Sequence, residues 1–598
     1  MLPTYSRAPW WRACLRFTIA AWLLIPALAA AAPAPRPFCL ETLVDFMDDA
    51  STNGRPLTPQ DIDALMAKLA ELGFRRVTWG TYGDGHGGWL YPAGFYNAED
   101  GNSWTNVAET YRQLGNPLKV AVEAGHRHGL EVYAYFKPYE TGAGPMFPDG
   151  SPNAAKWGVI QQVGGKMTVV EPFVRDHPEL RLKRRTDDLP AWIETATVAR
   201  LRLQKQDASP TRVTPEHLQI WTSPNNYQYQ RVPGKFEVRE TVEPAPRDVC
   251  DLAGHILTHH GAPVRVLTLS GLHLQDRYIA VTTDFKEGPG DFTNSGTAML
   301  EAYDDSGRAI LGETATGSAI WDETMVDFRH GGLMFDSGLG PLPVTLDVNN
   351  DNGRQGLIAF ARGRNLYLTG AMCEVEPAVQ EYWLRCLDEI IATGVDGVDF
   401  RVEGHSTHTD HPLDYGFNDI VLAKAKARGG NLVDAVNAVR TEAYTEFLQK
   451  CRVRLTQAGK LMRQNLNVDF FRPDLAKDRR IAYPSNITFD WPRWMDLGLM
   501  DGVILRTGAL PFSALDNDPV ALAMIAHARA KRIPVTFNCY VHHAGDKLTE
   551  QVTRVKNDER FAGFVFYETD EYIDLSKPGE ARVSYAAVPA ALEAVRAK

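Results

Sequence analysis

The sequence predicts an α/β chain in which a (β/α)8 TIM barrel is interrupted after its third strand by an inserted all-β sandwich domain. Three observations lead there. Short β-type runs alternate with longer amphipathic stretches from Glu41 to Phe136 and again from Val375 to the carboxyl end, the pattern of βα units around a parallel sheet. Between Thr141 and Asn352 that rhythm gives way to Gly- and Pro-rich sequence with short alternating segments, the signature of a sandwich. The 598 residues far exceed the ~250 of a typical barrel, so a second folded unit is required.

Taken in order, the first strand is Thr42-Leu43-Val44-Asp45-Phe46. A helix follows from Pro59 to Leu72, with Ile62, Leu65, Met66 and Leu69 at helical spacing and Gly73 as its stop. Arg75 to Tyr82 reads as the second strand, Asn106 to His128 as helix broken near Gly115-Asn116-Pro117, and Glu131 to Phe136 as the third strand. Inside the insertion, Leu201-Arg202-Leu203-Gln204, Val264 to Leu269 and Tyr278 to Thr283 read as strands. The helical pattern resumes at Val375 to Ala392, and Gly394 to Phe400 carries the fourth barrel strand. The amphipathic stretch Leu432 to Gly459 leads into a fifth strand, Leu461 to Phe470. Gly502 to Leu505, Ile533 to Tyr540 and Gly563 to Tyr567 complete the eight.

The amino end has the three-part layout of a secretory signal: Arg7, Arg12 and Arg16, then apolar Phe17 to Leu28, then Ala29-Ala30-Ala31-Ala32-Pro33. Its apolar run is shorter than the ~20 residues that span a bilayer, and no Cys follows it for a lipid anchor. The expected organisation is a signal over 1–32, barrel over 38–145, insertion over 146–352 and barrel again over 353–598, in a secreted or periplasmic protein with no membrane span after signal removal. An apolar fraction of 44% and a charged fraction of 23% fit a globular chain. A net charge of -11 offers no basic field for nucleic acid. The run Arg181, Lys183, Arg184 and Arg185 is a local exception, read first as a solvated face. Cys39, Cys250, Cys373, Cys386, Cys451 and Cys539 show no metal-ligand spacing, and bridges and buried thiols are equal readings. No cofactor is expected.

Chemistry in such barrels sits where strands end at the carboxyl face. The first strand offers Asp45 and Asp48 there, the second Trp79, Tyr82, Asp84 and His86, the third Lys137, Tyr139 and Glu140, and the fourth Asp399, Arg401, Glu403 and His405. Later ends add Asn465, Asn467 and Asp469, then Arg506, then Asn538, Tyr540, His542 and His543, and finally Tyr567, Glu568, Asp570 and Glu571, the last read as surface. Carboxylates with aromatics are what sugar hydrolysis needs: one acid to protonate the leaving oxygen, a second carboxylate to activate water or attack, and flat rings for apolar sugar faces. Alternation places Asp399, Arg401 and Glu403 on one face, with Val398, Phe400 and Val402 toward the helices. Trp79, Tyr82, Tyr139, Tyr540 and Tyr567 are candidate platforms, Asn465 and Asn538 suit ring hydroxyls, and Arg401 and Lys137 suit an acidic sugar or a carboxylate held ionised. His405, His408 and His411 with Asp410 and Asp414 lack a regular zinc spacing and read as a polar substrate loop. In the insertion, Trp221, Tyr227 and Tyr229 read as either a sugar contact or core.

The segment Asp396-Gly397-Val398-Asp399-Phe400-Arg401-Val402-Glu403 is similar to the fourth-strand DGxDxDxE signature of family 18 chitinases, with Arg401 where that family has the Asp that orients the substrate's acetamido group. Phe400-Arg401-Val402-Glu403 also resembles the FRxD element of the amylase superfamily. Asp176-His177-Pro178-Glu179, Val395 to Asp399, Tyr415-Gly416-Phe417 and Gly563 to Tyr567 resemble the glycosyl-hydrolase-like 10 group over the barrel segments. The resemblance implies Glu403 as the leading acid or base, Asp469 as its partner carboxylate and Glu568 as the competitor. The expected function is a glycoside hydrolase acting on a poly- or oligosaccharide. The alternative is a non-catalytic carbohydrate-binding protein on a degenerate barrel, with metal-assisted hydrolysis at the His-rich loop as a third reading.

Overall fold

A computed structural model describes residues 38–82, 103–143, 169–170, 172–205, 207–250, 256–283, 299–318, 333, 335–336, 356–402, 407, 409, 411–471, 486–507 and 515–596. The expected signal segment lies outside them. Residues from Phe38 onward form one compact unit.

Eight parallel strands close into a barrel: β1 Cys39–Asp45, β2 Arg76–Tyr82, β3 Glu131–Phe136, β4 Gly397–Arg401, β5 Leu461–Asn467, β6 Gly502–Arg506, β7 Val535–Tyr540 and β8 Gly563–Tyr567. The chain is a (β/α)8 barrel. β3 pairs directly with β4, and β8 returns to β1, so no edge strand is left in this sheet. The outward faces of the strands, including Val77, Val398, Phe400 and Val402, pack on apolar stripes of the surrounding helices.

Local chemistry sets the helices. Pro59–Glu71 starts at a capping box in which Thr58 accepts from the Asp61 backbone and the Asp61 side chain accepts from that of Thr58. It buries Ile62, Leu65, Met66 and Leu69, and Gly73, at φ +80°, turns the chain out. The break expected near Pro117 separates Ser103–Leu114 from Pro117–Arg127, the second helix capped by Asn116. β5 is shorter than the strand expected over Leu461 to Phe470, because Val468–Phe471 coils into a 3-10 turn.

The insertion contains two five-stranded antiparallel sheets. One runs Glu237–Pro244, Pro263–Ser270, Arg200–Gln204, Met299–Tyr303, Ala309–Ile310, and the other Gly312–Ser318, Gly356–Arg362, Tyr278–Thr283, Leu218–Ser223, Gln230–Arg231. Leu201, Leu203 and Leu269 of the first share a core with Ile220, Val281 and Phe360 of the second. Gly356–Arg362 thus belongs to the insertion's sheet, past residue 352 where the sequence pattern resumed the barrel. Tyr367–Met372 then pairs with Arg181–Lys183, and the barrel helix Pro377–Ala392 follows. Cys373, Cys386 and Cys451 are buried free thiols.

Candidate active site at the carboxyl mouth of the barrel

The strand registers stack inward residues of alternate strands in layers of four. Lowest among the polar layers are Glu41, Tyr133, Arg463 and Thr536, with Thr78, Asp399, Ile504 and Val565 above them. Leu43, Tyr135, Asn465 and Asn538 come next, then Gly80, Arg401, Arg506 and Tyr567. Asp45, Lys137, Asn467 and Tyr540 form the mouth.

The two lower layers are a structural lock. Arg463 donates to Asp399 Oδ2 at 2.7 Å and to Glu41 Oε2 at 2.7 Å, and Thr78 donates to Asp399 at 3.1 Å. Arg76 joins Glu41 at 2.7 Å. Burial alone would raise the Glu41 carboxyl, but Arg463 and Arg76 outweigh it and hold the group below the usual range. Gly397 makes room for this layer, since a Cβ there would lie 2.2 Å from the Tyr133 ring. The expectation that Asp399 contacts substrate is therefore corrected: it is fully buried, with two layers of side chains between it and the mouth and both oxygens occupied.

Two platform expectations also fall. Trp79 points outward, since Thr78 and Gly80 point in, and it stacks on Phe46 at 4.8 Å inside the helical layer. Tyr139 is enclosed with Trp383, Tyr444 and Phe489, its hydroxyl donating to Glu374 at 3.0 Å. Glu374 is itself in a fully buried pair with Arg440 at 2.6 Å. Tyr227 is buried in the core cluster of the barrel's helical layer and Tyr229 is buried too, while Trp221 is half-buried on the strand face opposite Ile220 and donates to Thr282 at 3.0 Å.

The structure does bring a second group of expected residues together. Arg401 donates to the hydroxyls of Tyr135 and Tyr567, the latter at 3.0 Å. Arg506 donates to the Tyr540 hydroxyl and lies 4.9 Å and 4.7 Å from the centroids of Tyr540 and Tyr567. Those rings meet edge to face at 4.5 Å, and Tyr540 also contacts His543 at 4.8 Å. Lys137 pairs with Glu140 at 2.9 Å. Asn465 and Asn538, 2% and 3% exposed, share one layer, and neither end of either amide has a hydrogen-bond partner among the described residues. Glu403 and His405 lie outside the described residues, as do the side chains of Tyr82 and of Asp469, which falls in the turn after β5.

Opposite the arginines is a carboxyl cluster on the ends of β1 and β8. Asp45 closes β1, and Asp49 lies one turn farther along the helix Phe46–Thr52. Glu568 follows β8 directly, across a cis peptide bond from Tyr567, and leads into Asp570 and Glu571. Burial, then the neighbouring Asp45 and Asp570, push the half-buried Glu568 up to about 8, against the opposing pull of Tyr567 and Arg506. Burial and Asp45 likewise push Asp570 up to about 7. Burial, with Asp570 next, raises Asp49, which accepts from Thr569 at 2.9 Å. Gly80 leaves space beside Asp45, since a Cβ there would lie 3.3 Å from Asp45 Oδ1. Glu571 is half-buried rather than on the surface, accepting from the His542 backbone at 2.9 Å.

Asp49 is the member that strand-end reading missed, having taken Asp48, whose side chain lies outside the described residues. The signal for Asp49 was the four-residue spacing from Asp45 at the start of a helix, which returns the second carboxyl to the same side. The arrangement can hold one carboxylic acid protonated near neutral pH beside other carboxylates, at a mouth lined by tyrosines and arginines. Among the described residues, no group of three or more His, Cys, Asp or Glu side chains is arranged to hold a metal ion.

No protein-family model and no curated protein matches the chain. Among solved structures, it is similar to the glycoside hydrolase domain of PelA from Pseudomonas aeruginosa, at 12% identity over 35% of this chain and 67% of that one, TM-score 0.21. It is also similar to the catalytic domain of β-amylase from Paenibacillus polymyxa, at 8% identity over 93% and 98%, TM-score 0.31. A third is catalytic domain 2 of the Ostrinia furnacalis group II chitinase, at 9% identity over 38% and 73%, TM-score 0.23. The barrel assignment stands on its own strand order.

Proposed function

We propose that this chain is an exported glycoside hydrolase that cleaves a poly- or oligosaccharide at the carboxyl mouth of its barrel, with Glu568 as the protonated acid. The observation that carries this reading is the Glu568 carboxyl, pushed up to about 8 beside Asp45 and Asp570 and next to the Tyr567 and Arg506 side chains. A carboxyl in that state can give its proton to a leaving glycosidic oxygen at neutral pH. Asp45, Glu403 and Asp469 are the candidates for the second carboxylate. Separation from Glu568 decides the stereochemistry, ~5 to 5.5 Å meaning retention and ~6.5 to 9.5 Å inversion. The motifs similar to the glycosyl-hydrolase-like 10 group support the same class, and the amino-terminal charge and apolar pattern supports export.

One observation favours a second reading, a carbohydrate-binding protein without catalysis: the buried amides of Asn465 and Asn538 offer donors and acceptors that no group among the described residues uses. Reducing-sugar release across neutral, amino and acidic polysaccharides, by the parent and by Glu568→Gln and Glu403→Gln, separates the two. Release by the parent and its loss in a folded Glu568→Gln supports the acid assignment. Full activity in Glu568→Gln with loss in Glu403→Gln moves the acid to the fourth strand, and glycan binding without release favours the binding reading.

A further inference from the structure

The basic run at the start of the insertion resolves into ion pairs with one exception. Lys183 reaches Asp419 at 3.0 Å, Arg184 reaches Glu313 at 2.7 Å and Asp414 at 3.4 Å, and Arg185 reaches Asp187 at 2.7 Å. Arg181 is fully buried and pairs with no carboxylate among the described residues. Its Nε donates to the Pro178 carbonyl at 2.7 Å and its Nη2 to the Asn225 carbonyl at 2.6 Å. The guanidinium lies 4.1 Å from the centroid of Tyr227 and 4.7 Å from that of Tyr367. Nη1 donates to no group among the described residues.

Rings and carbonyls soften the cost of a buried cation, yet neither carries a net negative charge, and an uncompensated ion is costly in an interior. The neighbouring phenols do not supply that charge. Burial pushes Tyr229 and Tyr278 well above the usual phenol range despite Arg181, so both stay neutral.

We propose that Arg181 Nη1 binds a small monovalent inorganic anion, of the chloride class, at the junction of the insertion and the barrel. A sulfate or phosphate would call for several donors, whereas this guanidinium has only Nη1 left over once Nε and Nη2 have bonded to carbonyls. The place is structural as well as electrostatic. Arg181 ties the Pro178 turn to the Asn225 loop, and its own carbonyl accepts from Asn418 at 2.8 Å, in the segment that follows β4. A bound anion would brace that junction, and this holds whether or not the mouth hydrolyses sugar.

The test is the melting temperature of the full chain in sodium chloride, sodium bromide, sodium sulfate and sodium gluconate at constant ionic strength. The expected result is a saturable rise with chloride and bromide, absent with sulfate and gluconate and abolished in Arg181→Gln. Identical melting of the parent in chloride and gluconate overturns the proposal, as does an Arg181→Gln variant that keeps the full chloride response. Should Arg181→Gln not fold, crystals of the parent soaked in bromide decide the matter. An anomalous peak in contact with Nη1 upholds the site, and its absence, with water alone there, removes it.

Discussion

Replacing Glu568 by Gln removes a carboxyl that the fold keeps protonated, and its effect on stability has a definite sign. The group is displaced from 4.5 to about 8 by burial and by Asp45 and Asp570. Below pH 4.5 both the folded and unfolded chains hold this proton, so the site contributes nothing pH-dependent. Between 4.5 and about 8 the unfolded chain has released it while the folded chain retains it, so the folded state binds more protons and unfolding becomes easier as pH rises. At 1.36 kcal/mol per unit, the displacement sets a ceiling of about 5 kcal/mol on the stability lost across that window. Glu568 is half-buried and water screens part of the repulsion, so the expected loss is about 1–3 kcal/mol. Gln cannot release a proton, and the variant therefore escapes that loss. Denaturant midpoints for parent and variant at pH 5 and pH 8 measure it: the two should converge at the lower pH and the variant should gain at the higher. Parallel dependence in both proteins refutes the reasoning that a raised Glu568 is held in its acid form.

Other consequences are equally open to measurement. Asp45→Asn withdraws a negative charge beside Glu568, lowers the pKa of that group and should move the alkaline limb of any kcat/KM profile to lower pH; an unmoved limb separates Glu568 from the reaction. Arg463→Met leaves Asp399 and Glu41 buried without a shared cation and should cost about 3–5 kcal/mol, read as a fall in melting temperature. Tyr139→Phe loses a buried hydrogen bond to Glu374, worth about 1 kcal/mol of stability, and should leave substrate KM unchanged; a changed KM would return Tyr139 to the cleft.

The eight strands were legible because a barrel strand carries its own parity: Val398, Phe400 and Val402 facing helices oblige Asp399 and Arg401 to face inward, and they do. Parity does not give depth. Asp399 is near the strand end in sequence, yet the tilt of the strands leaves two layers between it and the mouth, at a depth where Arg463 closes on it. Tyr139 lies past the end of β3, where parity no longer applies, and long-range packing against Tyr444 and Trp383 decides its place. The carboxyl cluster was only half visible, since Asp45 and Glu568 are strand ends but their meeting depends on closure between β1 and β8. Asp49 needed the helix as well as the strand.

Closure has a price in time. β3 ends at Phe136 and its partner β4 begins at Gly397, while β1, from Cys39, waits for β8 at Gly563. A chain delivered amino end first presents three strands with an open edge long before anything exists to cover it, and contacts so distant in sequence form slowly. The two sheets of the insertion, built from nearer neighbours, can form in that interval. Fragments ending before Gly397 should therefore aggregate rather than persist as a smaller barrel, and this protein's yield should depend on whatever shields its first quarter while the rest arrives.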